Sequence, residues 1–382
     1  MNSKQRCLAA MRGQVVDQVP VFPIIMFLAQ DRLGITYREF ATNGHALAEA
    51  QLNLREKFCV DAITSCSDAF RITADLGAEM VYPEAKPPYA AAPLVRSEAD
   101  LKKLGRINRS EASSRMADRV RGTREMVKAV GDTCLVLGWV DMPFAEACSI
   151  CGVTPFMEML YEQPRLAHAV LAPLTDLVIE FALRQLETGA PMIGAGDAVA
   201  SLISADMYRT FALPYEQRVC AAIHNAGGLV KLHICGQTTH LLDAMVQSGA
   251  DLFNVDHLVD LARARQVYSQ ANLCFKGNLD PVADIMQVTP LECECRARKC
   301  LHIAAGARYM LSAGCEVPAA TSDEVFRAFC EAPVKYARQQ GLIGTEPGSA
   351  HMKVGHNMIR LKSLIPPFLF VNFVHLCGCF CN

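Results

Sequence analysis

The chain has 382 residues, which is long enough for a single large α/β barrel or for two ordinary domains. Hydrophobic residues make up 51% of it and charged residues 20%, and its 37 basic and 39 acidic side chains leave no excess of positive charge to attract nucleic acid. The 17 cysteines are irregularly spaced and residues 1–12 do not resemble a signal peptide, so we expect reduced thiols in a cytoplasmic protein without a membrane span.

Short apolar runs alternate with longer segments of helical periodicity along most of the chain. Residues 2–12 predict an amphipathic helix before the first strand. Eight strands are predicted, at residues 19–26, 61–66, 134–140, 191–195, 229–234, 252–255, 274–277 and 308–312. Helical periodicity marks segments between them, such as 164–188, 204–225, 238–248 and 290–305. This alternation predicts a (β/α)8 TIM barrel, with an open doubly wound sheet as the alternative.

Two segments depart from the alternation. Residues 82–111 contain several prolines and a charge cluster, which predict a long excursion between the second and third units, of the kind that covers an active site. The barrel domain is predicted to span residues 1–340. Residues 341–382 form an atypical tail that ends in a cysteine-rich sequence. Metal binding or lipidation is one interpretation of that tail, and a disordered segment unrelated to the fold, introduced by cloning or a shifted reading frame, is the other.

Polar side chains follow most of the predicted strands. In a barrel, chemistry is carried where strands end and the loops to the next helices begin, so these residues are expected to share one rim. They are Asp68, Asp141, Asp197, His233, Cys235, Asp256, His257, Asn278, Asp280 and Cys315.

His233, Cys235 and Cys315 form a candidate metal site. His233 and Cys235 are two residues apart, so in extended backbone both side chains point to the same side. Cys315 follows the last predicted strand, and closure of a barrel would bring it to the same mouth. One imidazole and two thiolates suit Zn²⁺ and leave a fourth position for substrate. The spacing also fits a core histidine beside a buried thiol, and the spacing alone leaves both interpretations open.

Three segments resemble the uroporphyrinogen decarboxylase superfamily. They are RCLAAMRGQVVDQVPV (6–21), SDAFRITADLGAEMVYPE (67–84) and KGNLDP (276–281). The resemblance covers nearly all of residues 3–340 and implies a (β/α)8 barrel. It places Asp68 at the position of the family's active-site aspartate, so we name Asp68 a candidate catalytic residue, with capping of the following helix as the alternative.

Departures from the decarboxylase pattern indicate a branch of this superfamily. Residues 25–33 lack the arginine-rich segment that grips a polycarboxylate substrate, and only Arg32 remains there. His-x-Cys followed much later by Gly-Cys resembles the zinc-dependent methylcobamide (corrinoid) methyltransferases. That resemblance implies zinc at His233, Cys235 and Cys315. The segment 197–215 is also similar to that branch, which implies that Asp197, a second catalytic candidate, and Ser201 face the pocket.

The resemblance implies an enzyme that moves a methyl group between a corrinoid and a thiol such as coenzyme M, or from a methoxy or methylamine substrate to cob(I)amide. Ser201, Asp256 and Asn278 are candidates for binding substrate, although capping and turn formation would also explain Asp256 and Asn278. Glu316 and Glu146 are candidates for a carboxylate in the fourth zinc position, with a structural role as the alternative for each. The chain has no corrinoid-binding motif of its own, so a separate corrinoid protein is the expected partner. Uroporphyrinogen decarboxylation is the alternative function.

Overall fold

The computed structural model describes residues 1–341, so all but the first residue of the predicted tail lies outside the described residues. The strands are β1 (Ala62–Thr64), β2 (Met80–Val81), β3 (Tyr89–Ala90), β4 (Leu135–Asp141), β5 (Met192–Gly196), β6 (Leu229–His233), β7 (Leu252–Asn254), β8 (Cys274–Leu279) and β9 (Tyr309–Ala313). The helices of the first half are α1 (Ser3–Met11), α2 (Phe27–Leu33), α3 (Tyr37–Thr42), α4 (Gly44–Phe58), α5 (Arg71–Asp75), α6 (Arg115–Val130), α7 (Pro143–Cys151) and α8 (Val153–Glu162). Those of the second half are α9 (Pro164–Leu186), α10 (Ala205–Phe211), α11 (Leu213–Asn225), α12 (Leu242–Met245), α13 (Leu261–Gln270), α14 (Pro290–Ile303) and α15 (Asp323–Gln339).

Seven of the strands form one parallel sheet in the order β1-β4-β5-β6-β7-β8-β9. Helices connect consecutive strands of this sheet, as the alternation of apolar runs and helical segments predicts. Parallel strands buried on both faces are rich in apolar residues, and β4 is buried along its whole length. The predicted α/β architecture is therefore confirmed as a curled parallel sheet.

The predicted first strand is the main difference from the expected barrel. Residues 19–26 form no regular strand and make only isolated parallel bridges, Val21 with Leu311 and Ile24 with Glu316. The segment nevertheless contacts both ends of the sheet, because the Phe22 N–H donates to Leu311 and the Val21 carbonyl accepts from Asp61, each at 2.9 Å. Pro20 and Pro23 have no N–H to donate, which explains why no continuous ladder forms.

Other predicted elements keep their positions with altered bounds. The predicted N-terminal helix is α1, capped by the Asn2 side chain, which accepts from the backbone of Gln5. The predicted helix 204–225 is divided into α10 and α11 near Pro214, and the predicted helix 238–248 is reduced to α12. The excursion at 82–111 contains β3, which pairs with β2 just before it, and a 3₁₀ helix at Glu98–Gly105. Two further short helices, Ala198–Leu202 (3₁₀) and Pro281–Met286 (π), follow β5 and β8.

Helix α9, predicted at residues 164–188, is unusually long and apolar. Its most apolar window has a mean hydropathy of 1.6, which would suffice for a membrane span by length and composition. Half of that window is buried inside the fold, where α9 packs against α7, α11 and β4. This is the pattern of a helix that covers a core.

Candidate metal centre

The side chains of His233, Cys235 and Cys315 meet at the carboxyl ends of the strands. His233 is the last residue of β6, Cys235 follows it by two residues, and Cys315 lies two residues beyond the end of β9. Cys235 Sγ lies 2.8 Å from His233 Nε2 and 3.5 Å from Cys315 Sγ, and Cys315 Sγ lies 3.8 Å from the same Nε2. Among residues 1–341 this is the only cluster of three such side chains with metal-binding separations.

The three atoms fit a tetrahedral zinc ion with a small adjustment. Zn–S bonds of roughly 2.3 Å and Zn–N bonds of roughly 2.0 Å set about 3.8 Å between two sulfurs and about 3.5 Å between sulfur and nitrogen. The separations of Cys315 from Cys235 and from His233 agree with these values, and the distance between His233 and Cys235 would have to lengthen by about 0.7 Å. Two thiolates and a neutral imidazole balance the charge of the ion. Cys315 is partly exposed, which leaves an approach from solvent.

The end of β7 and the loop that follows it hold both loops that carry the thiols. The Asn254 side-chain amide donates to the carbonyl of Gly314, next to Cys315, at 2.8 Å. Asp256 accepts from the N–H of Gly236, next to Cys235, at 2.9 Å. Asp256 is among the residues predicted from the sequence and Asn254 is not, although Asn254 is a polar residue at the end of an apolar run, two residues before Asp256. Asp256 therefore supports the loop of Cys235 through its carboxylate, and any contact with substrate would come in addition to this hydrogen bond.

A buried lysine lies on the same face of β6 as the histidine. Lys231 precedes His233 by two residues, is fully buried, and places its ammonium 4.4 Å from the centre of the Trp139 ring. Burial lowers the pKa of Lys231 to about 8, although the thiols of Cys66, Cys235 and Cys315 act in the opposite direction. This lysine is not among the candidates predicted from the sequence.

Asp68 belongs to a buried network of charged residues. Its carboxylate accepts from the Arg115 guanidinium at 2.8 Å, from the Ser67 hydroxyl at 2.7 Å and from the Phe70 N–H at 3.0 Å. Burial opposes ionisation, but Arg115, Arg71 and these hydrogen bonds lower the pKa of Asp68 to about 2. Asp68 therefore holds the turn before α5 and pairs with a buried cation, whereas α5 itself, whose N-cap residue is Phe70, has no side-chain cap.

The same network includes Asp141 and Glu146. Arg71 donates to Asp141, yet burial raises the pKa of Asp141 to about 7. Burial also raises the pKa of Glu146 well above its ordinary value, and Glu146 packs in the first turn of α7. The charge of Arg71 opposes this rise only in part, so Glu146 belongs to the same buried network as Asp141.

Asp197 faces a second buried carboxyl group. Its Oδ1 accepts from the N–H of Ala145 at 2.9 Å, and Glu216 is its acidic neighbour. Burial raises the pKa of Asp197 well above its ordinary value and that of Glu216 to about 7, so the pair retains a proton. Ser201 lies beside the loop that carries Cys235, since a Cβ built on Gly236 would be 3.2 Å from the Ser201 hydroxyl. That hydroxyl donates to the Ala198 carbonyl.

Three other predicted residues have contacts that connect elements of the fold. Asn278 donates to the carbonyls of Asp256 and Val259 and so supports the loop after β7. Glu316 accepts from the N–H groups of Met26 and Phe27, at 2.6 and 2.7 Å, where α2 begins. Arg32, the one arginine retained in residues 25–33, binds Asp323 and the carbonyls of Ala319 and Thr321. These contacts favour structural roles for all three.

Comparison with known proteins gives a consistent family assignment. Residues 2–336 match the sequence profile described as Uroporphyrinogen decarboxylase (URO-D). A uroporphyrinogen decarboxylase of Nocardia farcinica is 31% identical over 274 residues, which cover 70% of this chain and 75% of the relative. The methylcobamide:CoM methyltransferase MtbA of Methanosarcina mazei is 28% identical over 340 residues, which cover 87% of this chain and 98% of the relative.

The fold comparison agrees with the sequence comparison. The solved structure of a methyltransferase from Methanosarcina mazei superposes with a TM-score of 0.77 at 21% identity. The superposition covers 88% of this chain and 99% of the other. At this level of identity the superposition shows a shared fold.

Proposed function

The chain belongs to the uroporphyrinogen decarboxylase family, and within that family we propose that it is a zinc-dependent methyltransferase that moves a methyl group between a corrinoid and a small thiol. The reverse use of the same site, with a methoxy or methylamine donor and cob(I)amide as acceptor, remains part of the proposal. The observation that carries it is the approach of His233, Cys235 and Cys315 within 4.8 Å of one another at the carboxyl ends of the strands. The near full-length match to a methylcobamide:CoM methyltransferase supports it.

Methyl transfer to sulfur requires an anionic nucleophile held in line with the methyl group. Zinc bound by the three side chains would supply this by lowering the pKa of a substrate thiol. Within the chain, Asn254 and Asp256 fix the loops that carry Cys315 and Cys235, and Lys231 adds positive charge beneath the thiols. We also infer that residues 20–24 complete the barrel, which would keep β6 and β9 at one closed mouth.

The corrinoid is proposed to arrive on a separate protein that docks over this mouth. Asp68, Asp197, Ser201, Asp256 and Asn278 remain proposed contributors to catalysis or substrate binding. Of these, Ser201 lies beside the loop of Cys235, and Asp256 holds that loop directly. We therefore expect substitutions of Ser201 and Asp256 to weaken binding of the thiol substrate more than substitutions of the other three residues.

Metal analysis joined to a methyl-transfer assay tests the proposal. The purified chain should contain about one zinc, and it should change the cobalt spectrum of methylcobalamin when a suitable thiol is supplied. Cys315→Ala should lose zinc and activity while keeping its fold, because Cys315 is partly exposed. Cys295→Ala, at an exposed position on α14, is the matched control and should keep both. A chelator-free preparation without zinc would contradict the proposal.

Uroporphyrinogen decarboxylation is the second candidate. The identity to the Nocardia farcinica decarboxylase supports it, and so do Arg71 and Arg115, whose buried guanidinium groups each keep N–H groups without a partner among the described residues. Arg32, by contrast, is engaged by Asp323 and two carbonyls. Formation of coproporphyrinogen by the metal-free protein would favour this candidate over methyl transfer.

A further inference from the structure

Two buried polar atoms beside the candidate metal centre have no hydrogen-bond partner in the part of the chain that the structure describes. One is His233 Nδ1, on the ring whose Nε2 faces the two thiols. The other is Asn254 Oδ1. His233 is 5% exposed and Asn254 is 1% exposed, so water does not readily satisfy either atom.

The two residues are direct neighbours in the sheet. His233 and Asn254 are register partners across the parallel pair of β6 and β7. Neighbouring strands lie roughly 4.8 Å apart, and partners in register project their side chains to the same face. An imidazole and an amide at this spacing reach each other through one hydrogen bond, and each has one unused group of the matching kind.

The donors and acceptors match only one tautomer of the neutral ring. A neutral histidine that binds a metal through Nε2 carries its proton on Nδ1, and that N–H is ordinarily donated to a carbonyl or carboxylate oxygen. The Asn254 amide nitrogen already donates to Gly314, which leaves the oxygen to accept. Donation of that amide nitrogen to a backbone carbonyl also fixes which end of the amide faces His233.

We infer that Asn254 is a positioning residue for the metal centre: its Oδ1 accepts the Nδ1–H of His233 when the ion is bound, while its amide holds the Gly314 carbonyl beside Cys315. One side chain on β7 thereby fixes the tautomer and orientation of the imidazole together with the position of one thiol, although neither residue is adjacent to it in sequence. This inference rests on the proposed metal centre and extends it to a residue that contacts no metal.

Zinc affinity measured by competition with a chromophoric chelator tests the inference. Asn254→Leu keeps the approximate shape and removes both hydrogen bonds, and it should weaken zinc binding roughly ten- to a hundredfold. Asn254→Asp keeps an acceptor opposite His233 and should weaken it less. Gln51→Met is the matched control, since Gln51 is a fully buried amide that donates to the Ile25 carbonyl. It should lower thermal stability and leave zinc affinity unchanged.

A spectroscopic measurement separates positioning from general destabilisation. In the zinc-loaded protein labelled with ¹⁵N-histidine, the Nδ1–H of His233 should exchange slowly with water, and Asn254→Leu should abolish this protection. Zinc affinity of Asn254→Leu within about threefold of the unsubstituted chain, or equal weakening by Asn254→Leu and Asn254→Asp, would overturn the inference. Failure of the unsubstituted chain to bind zinc would instead overturn the proposed function itself.

Discussion

The ion pair between Asp68 and Arg115 provides a quantitative prediction. Both side chains are buried, with Asp68 at 4% and Arg115 at 8% exposure. The pKa of Asp68 falls from about 3.9 in an unfolded chain to about 2 in the folded one, so the sign is that of a carboxylate whose stabilising effect is complete at neutral pH and lost as the pH falls through about 2. At about 1.4 kcal/mol per pKa unit, ionised Asp68 contributes about 2 to 3 kcal/mol.

Truncation should cost more than this amount. Asp68→Ala leaves the Arg115 guanidinium buried without its carboxylate, and removal of one partner from a buried pair costs about 3 to 5 kcal/mol. Substitution of both residues, Asp68→Ala with Arg115→Met, should recover a large part of that loss, because no unpaired charge remains. The measurement is urea unfolding at neutral pH, followed by circular dichroism.

An exposed pair of the same chemistry is the control. Asp206 pairs with Arg209 on α10, and its side chain is 96% exposed, so Asp206→Ala should change the free energy of unfolding by less than about 0.5 kcal/mol. A cost below about 1 kcal/mol for Asp68→Ala would refute the reasoning. Unchanged stability with lost methyl transfer would instead assign Asp68 a role in catalysis.

Three further predictions concern the surroundings of the site. Burial raises the pKa of Glu216 to about 7, so the folded chain keeps a proton that the unfolded chain releases above about pH 4.3, and the free energy of unfolding should fall as the pH rises from there through about 7. In urea titrations, Glu216→Gln should reduce the pH dependence of the free energy of unfolding by up to about 1.4 kcal/mol per pH unit. The same pH dependence in the variant and the unsubstituted chain would contradict a raised pKa for Glu216. Glu316→Ala should lower stability by about 1 to 3 kcal/mol, since two N–H groups at the start of α2 lose their acceptor, and it should leave zinc affinity unchanged. Loss of zinc would instead place Glu316 among the ligands. In Gly314→Ala the new Cβ would lie 2.2 Å from the backbone nitrogen of His257. Relief of this clash would displace the neighbouring Cys315, so zinc affinity should drop. Gly105→Ala, with nothing within 4 Å of the new Cβ, should bind zinc as before.

Sequence patterns predicted the seven regular strands of the large sheet because these runs are apolar and continuous. The first predicted strand, at 19–26, is equally apolar, but it contains two prolines, which lack the N–H groups that a regular ladder needs. Apolar character alone therefore overstates its strand content. Helix ends were misplaced for the same reason, since Pro214 marks the start of α11 inside a segment of continuous helical periodicity.

The candidate site was predictable to the extent that its residues follow strands directly. His233, Cys235 and Cys315 each lie at or just beyond a strand end, and the structure brings them together. Lys231 lies within a strand and Asn254 ends one, and in neither case does the sequence indicate the neighbour across the sheet. Glu216 lies on a helix, and its proximity to Asp197 depends on tertiary packing that local periodicity does not encode.

The interrupted pairing of residues 20–24 has a consequence for how the molecule opens. This segment joins the first and last strands through its bonds to Leu311 and Asp61, whereas β8 and β9 share a register of five residue pairs. Pro20 and Pro23 interrupt the ladder at this junction, so its amide protons should exchange for deuterium ahead of those in the neighbouring strands. Cys315 lies two residues beyond β9, the strand that borders this junction, so transient separation there would give solvent and reagents a second route to the thiol, from the side.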